Sequence, residues 1–297
     1  MCTTRRGSAS ATISARIDLT VEPVQAPTVA EARAQGQLIL VAEDDDVNQK
    51  VILRQLSVLG HAAEIAENGA EALRLWRTGT YRMLLTDLHM PEMDGYTLAT
   101  TIRQEEAERG SARQGRMPIL ALTANALRGE ALRAQAAGMD DYLTKPIQLH
   151  VLKAALKKWL PGDRGDALPR DVDAVRPSAP PGMPLDIAVL ESVVGDDPMV
   201  VRDFLGQYQA SAGRLATEAR AALATDDVRR IGDVAHKLKS SSRSVGAVAL
   251  GDLCAELENT CRAGTREGVA QVMKEFEAAL QAADAQISQI LASSDVT

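Results

Sequence analysis

Met83-Leu84-Leu85-Thr86-Asp87-Leu88-His89-Met90-Pro91-Glu92-Met93-Asp94-Gly95 is a short apolar run that ends in an acid and breaks into a proline-containing loop. Met83 to Thr86 is too short for a helix, and it is apolar at successive positions. Both features fit a strand buried on both faces of a parallel sheet. Residues 96–108 then carry helical periodicity. The unit is therefore a strand, an acid at its carboxyl end and a returning helix.

The same unit recurs outward in both directions. Leu38 to Ala42 is a strand ending in Glu43-Asp44-Asp45-Asp46, and residues 47–59 form a helix that stops at Gly60. Residues 63–66 are a weak strand followed by a helix over 70–76. Residues 119–122 and 141–144 are strands followed by helices over 127–137 and 149–160. About five βα units predict a doubly wound α/β domain with a parallel sheet, residues 37–160. Such sheets bind ligands at the carboxyl ends of their strands.

Residues 161–184 hold six of the chain's 12 prolines, so helix and strand are both excluded there. They read as a semi-flexible linker spanning roughly 25–30 Å. Beyond it the pattern is purely helical. Candidate helices are 186–194, 198–224, 226–243, 248–262 and 267–291, with breaks at Gly195, Asp226, Gly246 and Gly264. That predicts an all-α helical bundle over 185–293. Residues 1–36 form a separate N-terminal segment in which 12–19 alternate like a single strand.

Composition narrows the function. Hydrophobic residues make up 45% and charged residues 25%, the balance of an ordinary globular protein. A formal charge of −7 argues against direct nucleic-acid binding. The three cysteines, Cys2, Cys254 and Cys261, are too few and too scattered for a disulfide framework or a metal cluster. Cys254 and Cys261 share one helix face and read as small core residues. No apolar run approaches the ~20 residues of a membrane span, and no secretory leader is visible.

The strand ends gather a distinctive set. Glu43 and Asp44 follow the first strand, Asp87 the third, Thr123 the fourth and Lys145 the fifth. Taken alone, the acid run 43–46 fits a solvated helix N-terminus, and Thr123 or Lys145 fits a cap or a surface. Three carboxylates in one crevice repel unless a cation joins them, and Mg²⁺ prefers such oxygen ligands. Asp87 is then a candidate nucleophile towards a phosphoryl group. Lys145 would neutralise developing charge and Thr123 would bond a phosphoryl oxygen.

On these residues the segment 37–160 resembles a response-regulator receiver domain, with the flavodoxin-like five-stranded fold. The matching pieces are residues 39–44, 86–95, Leu122-Thr123-Ala124-Asn125, and Asp141-Tyr142-Leu143-Thr144-Lys145-Pro146. The resemblance implies that Asp87 is the phosphoacceptor and Glu43 and Asp44 the acidic pair. The His89 backbone carbonyl is implied as a further metal ligand, Tyr142 as the aromatic switch that follows Thr123, and Lys145-Pro146 as a cis bond. Glu43-Asp44 is the register within the four-acid run that places Asn48 at the family's helix start. Residues 105–116 lengthen the connection before the fourth strand as a surface insertion.

The second candidate acceptor is His236. Ile231, Val234, Ala235 and Leu238 form an apolar stripe on its helix. His236 lies roughly 140° from Ile231, so the imidazole is expected to point to solvent and stand clear. Gly232 and Ser240, one turn to either side, are small, and Lys239 shares the side of His236, where it can partner a phosphate. Neutral imidazole is a nucleophile, and this form is well populated near pH 7. Residues 235–240 with Val245-Gly246-Ala247 resemble histidine-containing phosphotransfer (HPt) domains over about 184–293. That family often has glycine where Ser240 stands.

Together the two segments resemble the C-terminal part of an unorthodox hybrid sensor histidine kinase of the virulence-sensor type. The resemblance implies a two-component phosphorelay. Asp87 takes a phosphoryl group from a kinase phosphohistidine with Mg²⁺ and passes it to His236 for a downstream response regulator. The implied partners are that kinase and that regulator, in the cytoplasm, with a parent kinase anchored in the inner membrane. Alternatives are a phosphate sink with reverse flow from His236 to Asp87, and a non-catalytic interaction module. No second candidate histidine on a dimerisation helix and no glycine-rich nucleotide lid is visible, so the chain reads as a phosphotransfer module without a kinase core. Residues 7–19 look similar to the final strand of a kinase ATP-binding domain, which would make 1–36 a remnant of one.

Overall fold

A computed structural model describes residues 26–109, 116–124, 128–160, 183–264 and 266–293. The strand expected over 12–19 and nearly all of the linker expected over 161–184 lie outside them. The described part of the N-terminal segment contains a helix absent from the sequence reading, α1 (Val29–Ala34). Thr28 and Glu31 cap it reciprocally, Thr28 Oγ1 accepting from the Glu31 N–H at 3.2 Å and Glu31 Oε2 from the Thr28 N–H at 2.8 Å. Buried Ala32 holds it against the sheet.

The sheet consists of β1 (Leu38–Ala42), β2 (Ala63–Ala66), β3 (Tyr81–Asp87), β4 (Ile119–Thr123) and β5 (Asp141–Thr144), all parallel in the order β2-β1-β3-β4-β5. Helices α2 (Asp46–Val58), α3 (Gly69–Trp76), α4 (Gly95–Arg109), α5 (Arg128–Ala136) and α6 (Leu149–Trp159) return the chain between strands and after the last. Strand side chains alternate between two apolar layers. Leu38, Leu40 and Leu84 enter one, whereas Ile39, Val41, Met83 and Leu85 enter the other. Both faces are covered, which is why the strands read as continuous apolar runs. The strand order reverses between β1 and β3, so their carboxyl ends open onto one crevice.

Five helices follow: α7 (Ile187–Val194), α8 (Pro198–Ala224), α9 (Val228–Ser244), α10 (Val248–Ala263) and α11 (Arg266–Ala292). Asp186, Asp197 and Asp227 cap α7, α8 and α9, and Pro198 occupies the first turn of α8. The stripe Ile231, Val234, Ala235 and Leu238 is fully inside, packed with Phe204, Tyr208 and Phe276. Gly246 ends α9 at φ 92°, and a Cβ there would lie 2.0 Å from the Asp186 carbonyl oxygen, so only glycine closes this corner.

The two domains are packed against each other through α2. Its Ile52 and Leu56 face the sheet, while Val47 and Val51 enter the apolar core of the bundle. Buried Gln55 donates from Nε2 to the carbonyl oxygens of Ile147 at 2.5 Å and Val193 at 2.9 Å, joining the domains. Ser211 Oγ donates to Asp46 Oδ1 at 3.0 Å beside these contacts.

Candidate functional site

The acid run after β1 is divided by local structure. Asp45 caps α2, its Oδ1 accepting from the Asn48 N–H at 2.8 Å, and burial raises its carboxyl to about 6 despite that bond. Asp46 opens the helix and turns towards Ser211. Glu43 and Asp44 are left at the crevice with Asp87, and oxygens of the three carboxylates lie within 4.8 Å of one another.

Lys145 reaches this cluster from the end of β5. Its Nζ donates to Glu43 Oε2 and Asp87 Oδ2, both at 2.5 Å, with all three side chains buried. Burial would raise the Asp87 carboxyl, but the ammonium of Lys145 outweighs it and holds Asp87 below the usual range. For Glu43 burial prevails over the same ammonium, and the carboxyl is pushed up. Burial would lower Lys145, and the paired carboxylates raise it instead. The Lys145-Pro146 bond is cis.

Asp87 is also held by its own loop. Its Oδ1 accepts from the His89 N–H at 3.0 Å. Gly95 passes directly behind it, where a Cβ would lie 2.1 Å from the Asp87 carbonyl oxygen. Thr123 is buried at the end of β4 with its Oγ1 donating to Glu130 Oε2 at 2.5 Å, so its hydroxyl is engaged by α5. Tyr142, on β5, is 46% exposed.

His236 does not stand clear in solvent as the helix phase suggests. The bundle docks on the receiver crevice, and the imidazole lies between the domains. Its ring centroid is 5.3 Å from that of His89. It lines a cleft shared with Asp87, Asp44 and His89. The neighbouring residue, Lys237, places its Nζ 3.2 Å from Asp44 Oδ2. Burial, reinforced by the charge of His236, lowers the His89 imidazole, which favours its neutral form.

One residue of this site escaped the sequence reading. Glu258, on α10, is largely buried beneath the histidine. Its Oε1 lies 3.0 Å from His236 Nδ1, and its Oε2 accepts from Lys239 Nζ at 2.7 Å. Arg262 also bonds it from the next turn. Burial would raise the Glu258 carboxyl, yet hydrogen bonds from His236 and Lys239 hold it at about 2. An ionised carboxylate only accepts, so Nδ1 must carry a proton, and in the neutral ring Nε2 bears the lone pair. Lys239 is thus tied to Glu258. Helical spacing in α10 contains no cue that Glu258 meets His236, because the contact joins two helices.

Two family matches place the chain among the two-component phosphorelay proteins. Residues 39–157 match the response regulator receiver domain family, and residues 203–286 match the Hpt domain family. The chain is thus a receiver domain followed by an Hpt domain. It is 30% identical over 80% of its length to the virulence sensor protein BvgS of Bordetella pertussis, and 31% identical over 74% to the sensor histidine kinase GacS of Pseudomonas protegens. It spans 19% and 24% of those relatives. Among solved structures, the receiver domain of sensor histidine kinase PA1611 of Pseudomonas aeruginosa, with magnesium in its active-site cleft, is 40% identical over 42% of this chain and 97% of its own, at a TM-score of 0.37.

Proposed function

We propose that the chain is an internal phosphorelay in which Asp87 accepts a phosphoryl group from a kinase phosphohistidine and delivers it to His236. The observation that carries this reading is the docking itself. His236 shares one cleft with Asp87 while Glu258 fixes its Nδ1 proton. A pre-formed approach of the nucleophile His236 to the phosphoryl donor supplies much of the effective concentration that a bimolecular transfer lacks.

The roles divide by position. Glu43, Asp44 and Asp87 offer clustered carboxylate oxygens, with the His89 carbonyl as a further ligand, a hard donor set that fits Mg²⁺. Bound there, Mg²⁺ supplies charge neutralisation at the phosphoryl oxygens. Lys145 holds the Asp87 carboxylate in place and balances charge as the group arrives. Thr123 leaves Glu130 to bond a phosphoryl oxygen, and Tyr142 follows it inward. Lys239 balances charge beside the histidine through Glu258. His236 and Lys237 line the cleft that holds Asp87, so a kinase phosphohistidine reaches it only after the Hpt domain swings away.

The partners are a sensor kinase phosphohistidine domain and the receiver of a downstream response regulator, in the cytoplasm. Among the described residues no helix is long and apolar enough to cross a membrane. A chain labelled on His236 with phosphoramidate and mixed with a separate receiver tests the forward direction. Forward flow predicts label on the added receiver. Release as inorganic phosphate, abolished by Asp87→Ala, identifies a brake instead.

A further inference from the structure

Ser240 stands one helical turn after His236 and lines the same interdomain cleft as Asp87, His236 and Lys239. It is 8% exposed, and its Oγ is buried without a hydrogen-bond partner among the described residues. Its neighbours behave differently. Ser241 donates to the Lys237 carbonyl oxygen at 3.2 Å, Ser242 pairs with Tyr208 at 2.8 Å, and Ser244 donates to the Ser240 carbonyl oxygen at 3.0 Å. A buried hydroxyl left unpaired costs free energy that alanine would avoid. Such an orphan at the mouth of a reaction cleft points to a ligand that supplies the missing acceptor.

We infer that Ser240 is a ligand of the phosphoryl group in transit, donating its hydroxyl hydrogen to a phosphoryl oxygen from the Hpt side. The inference rests on the relay reading and deepens it. In the transfer the bond from phosphorus to the Asp87 carboxyl oxygen breaks, and its electron pair stays on the carboxylate. The lone pair of His236 Nε2 forms the new bond to phosphorus. The Nδ1 proton remains on the ring against Glu258, and Ser240 keeps its own proton throughout. Receiver groups and Ser240 then grip the phosphoryl oxygens from opposite sides, a division suited to a group changing hands. Glycine at this position has no such donor.

The test compares wild type with Ser240→Ala and with Ser240→Cys, which keeps the volume but is a weak donor. Asp87 is labelled with acetyl phosphate and Mg²⁺, and transfer to His236 is followed by rapid quench. Both variants should transfer about tenfold more slowly, while the thermal midpoint of Ser240→Ala is not lowered, since it breaks no hydrogen bond. Transfer at the wild-type rate in both variants overturns the inference. If wild type fails to transfer at all, the relay reading falls. The ³¹P resonance of phospho-His236 prepared with phosphoramidate then decides alone: a shift between wild type and Ser240→Ala supports the contact, and an unmoved resonance overturns it.

Discussion

The imidazole ring of His236 lies 5.3 Å, centroid to centroid, from that of His89, with the planes inclined at 68°. His89 is two residues past Asp87, so the histidine of one domain sits at the mouth of the other domain's acidic crevice. Apolar packing and polar contacts together keep it there. Val47 and Val51 leave the receiver surface for the bundle core, and each buried valine contributes about 1.5–3 kcal/mol.

Val51→Glu should therefore open the chain. A charge at a position only 6% exposed cannot stay in the bundle core. Small-angle scattering should report a larger radius of gyration. Transfer from Asp87 to His236 should slow at least about tenfold, while labelling of Asp87 by acetyl phosphate persists. A compact variant with normal transfer would show that α2 does not hold the domains together.

Glu258→Gln should disturb the nucleophile without touching the receiver. Glutamine can accept from or donate to Nδ1, so the tautomer is no longer fixed, and ¹⁵N spectra should show a mixed tautomer population at His236. By analogy with other histidines oriented by a carboxylate, transfer should fall about ten- to a hundredfold. The wild-type carboxyl is depressed from 4.5 to about 2, so its stabilisation is present above about 4.5 and is lost as pH falls towards 2. Urea midpoints over that window should decline in wild type and flatten in the glutamine variant.

Mg²⁺ should raise the thermal midpoint of the chain, with chelation reversing the shift. Asp44→Asn should weaken binding at least about tenfold. Lys237 competes for the same carboxylate, but a partly exposed ion pair is worth at most about 1 kcal/mol. Lys237→Ala should thus tighten Mg²⁺ by no more than about fivefold in calorimetric titration. No effect of Asp44→Asn would place the cation elsewhere.

Gly95→Ala should cost about 1–3 kcal/mol, because its Cβ would press on the Asp87 carbonyl oxygen at 2.1 Å. The acceptor loop must shift to relieve it. Denaturant unfolding should report the loss, and acetyl phosphate labelling of Asp87 should slow with it. An unchanged labelling rate would separate the loop position from the chemistry.

The βα units were legible because the central strands β1, β3 and β4 are apolar on both faces, and glycines at 60 and 138 stop two of the helices. Their structural bounds differ from the sequence reading by a residue or two at most ends. Helix α1 was missed because six residues are too few for periodicity, although Thr28 and Glu31 spell a capping box. The crevice acids Glu43, Asp44 and Asp87 were readable as strand ends, while Asp45 serves as the cap of α2. Docking was not readable. Val47 and Val51 read equally well as part of an ordinary amphipathic stripe, and no local pattern reveals which body covers them. Glu258 and the orphaned hydroxyl of Ser240 escaped for the same reason, since each acquires meaning only from a helix or domain distant in sequence.

The most direct measurement incubates wild type, Asp87→Ala and His236→Ala with acetyl phosphate and Mg²⁺ and separates the products on phosphate-affinity gels. The internal relay predicts an acid-labile, base-stable phosphoryl species in wild type that either substitution removes. Label confined to Asp87 in wild type, or an acid-labile species that survives Asp87→Ala, would contradict it.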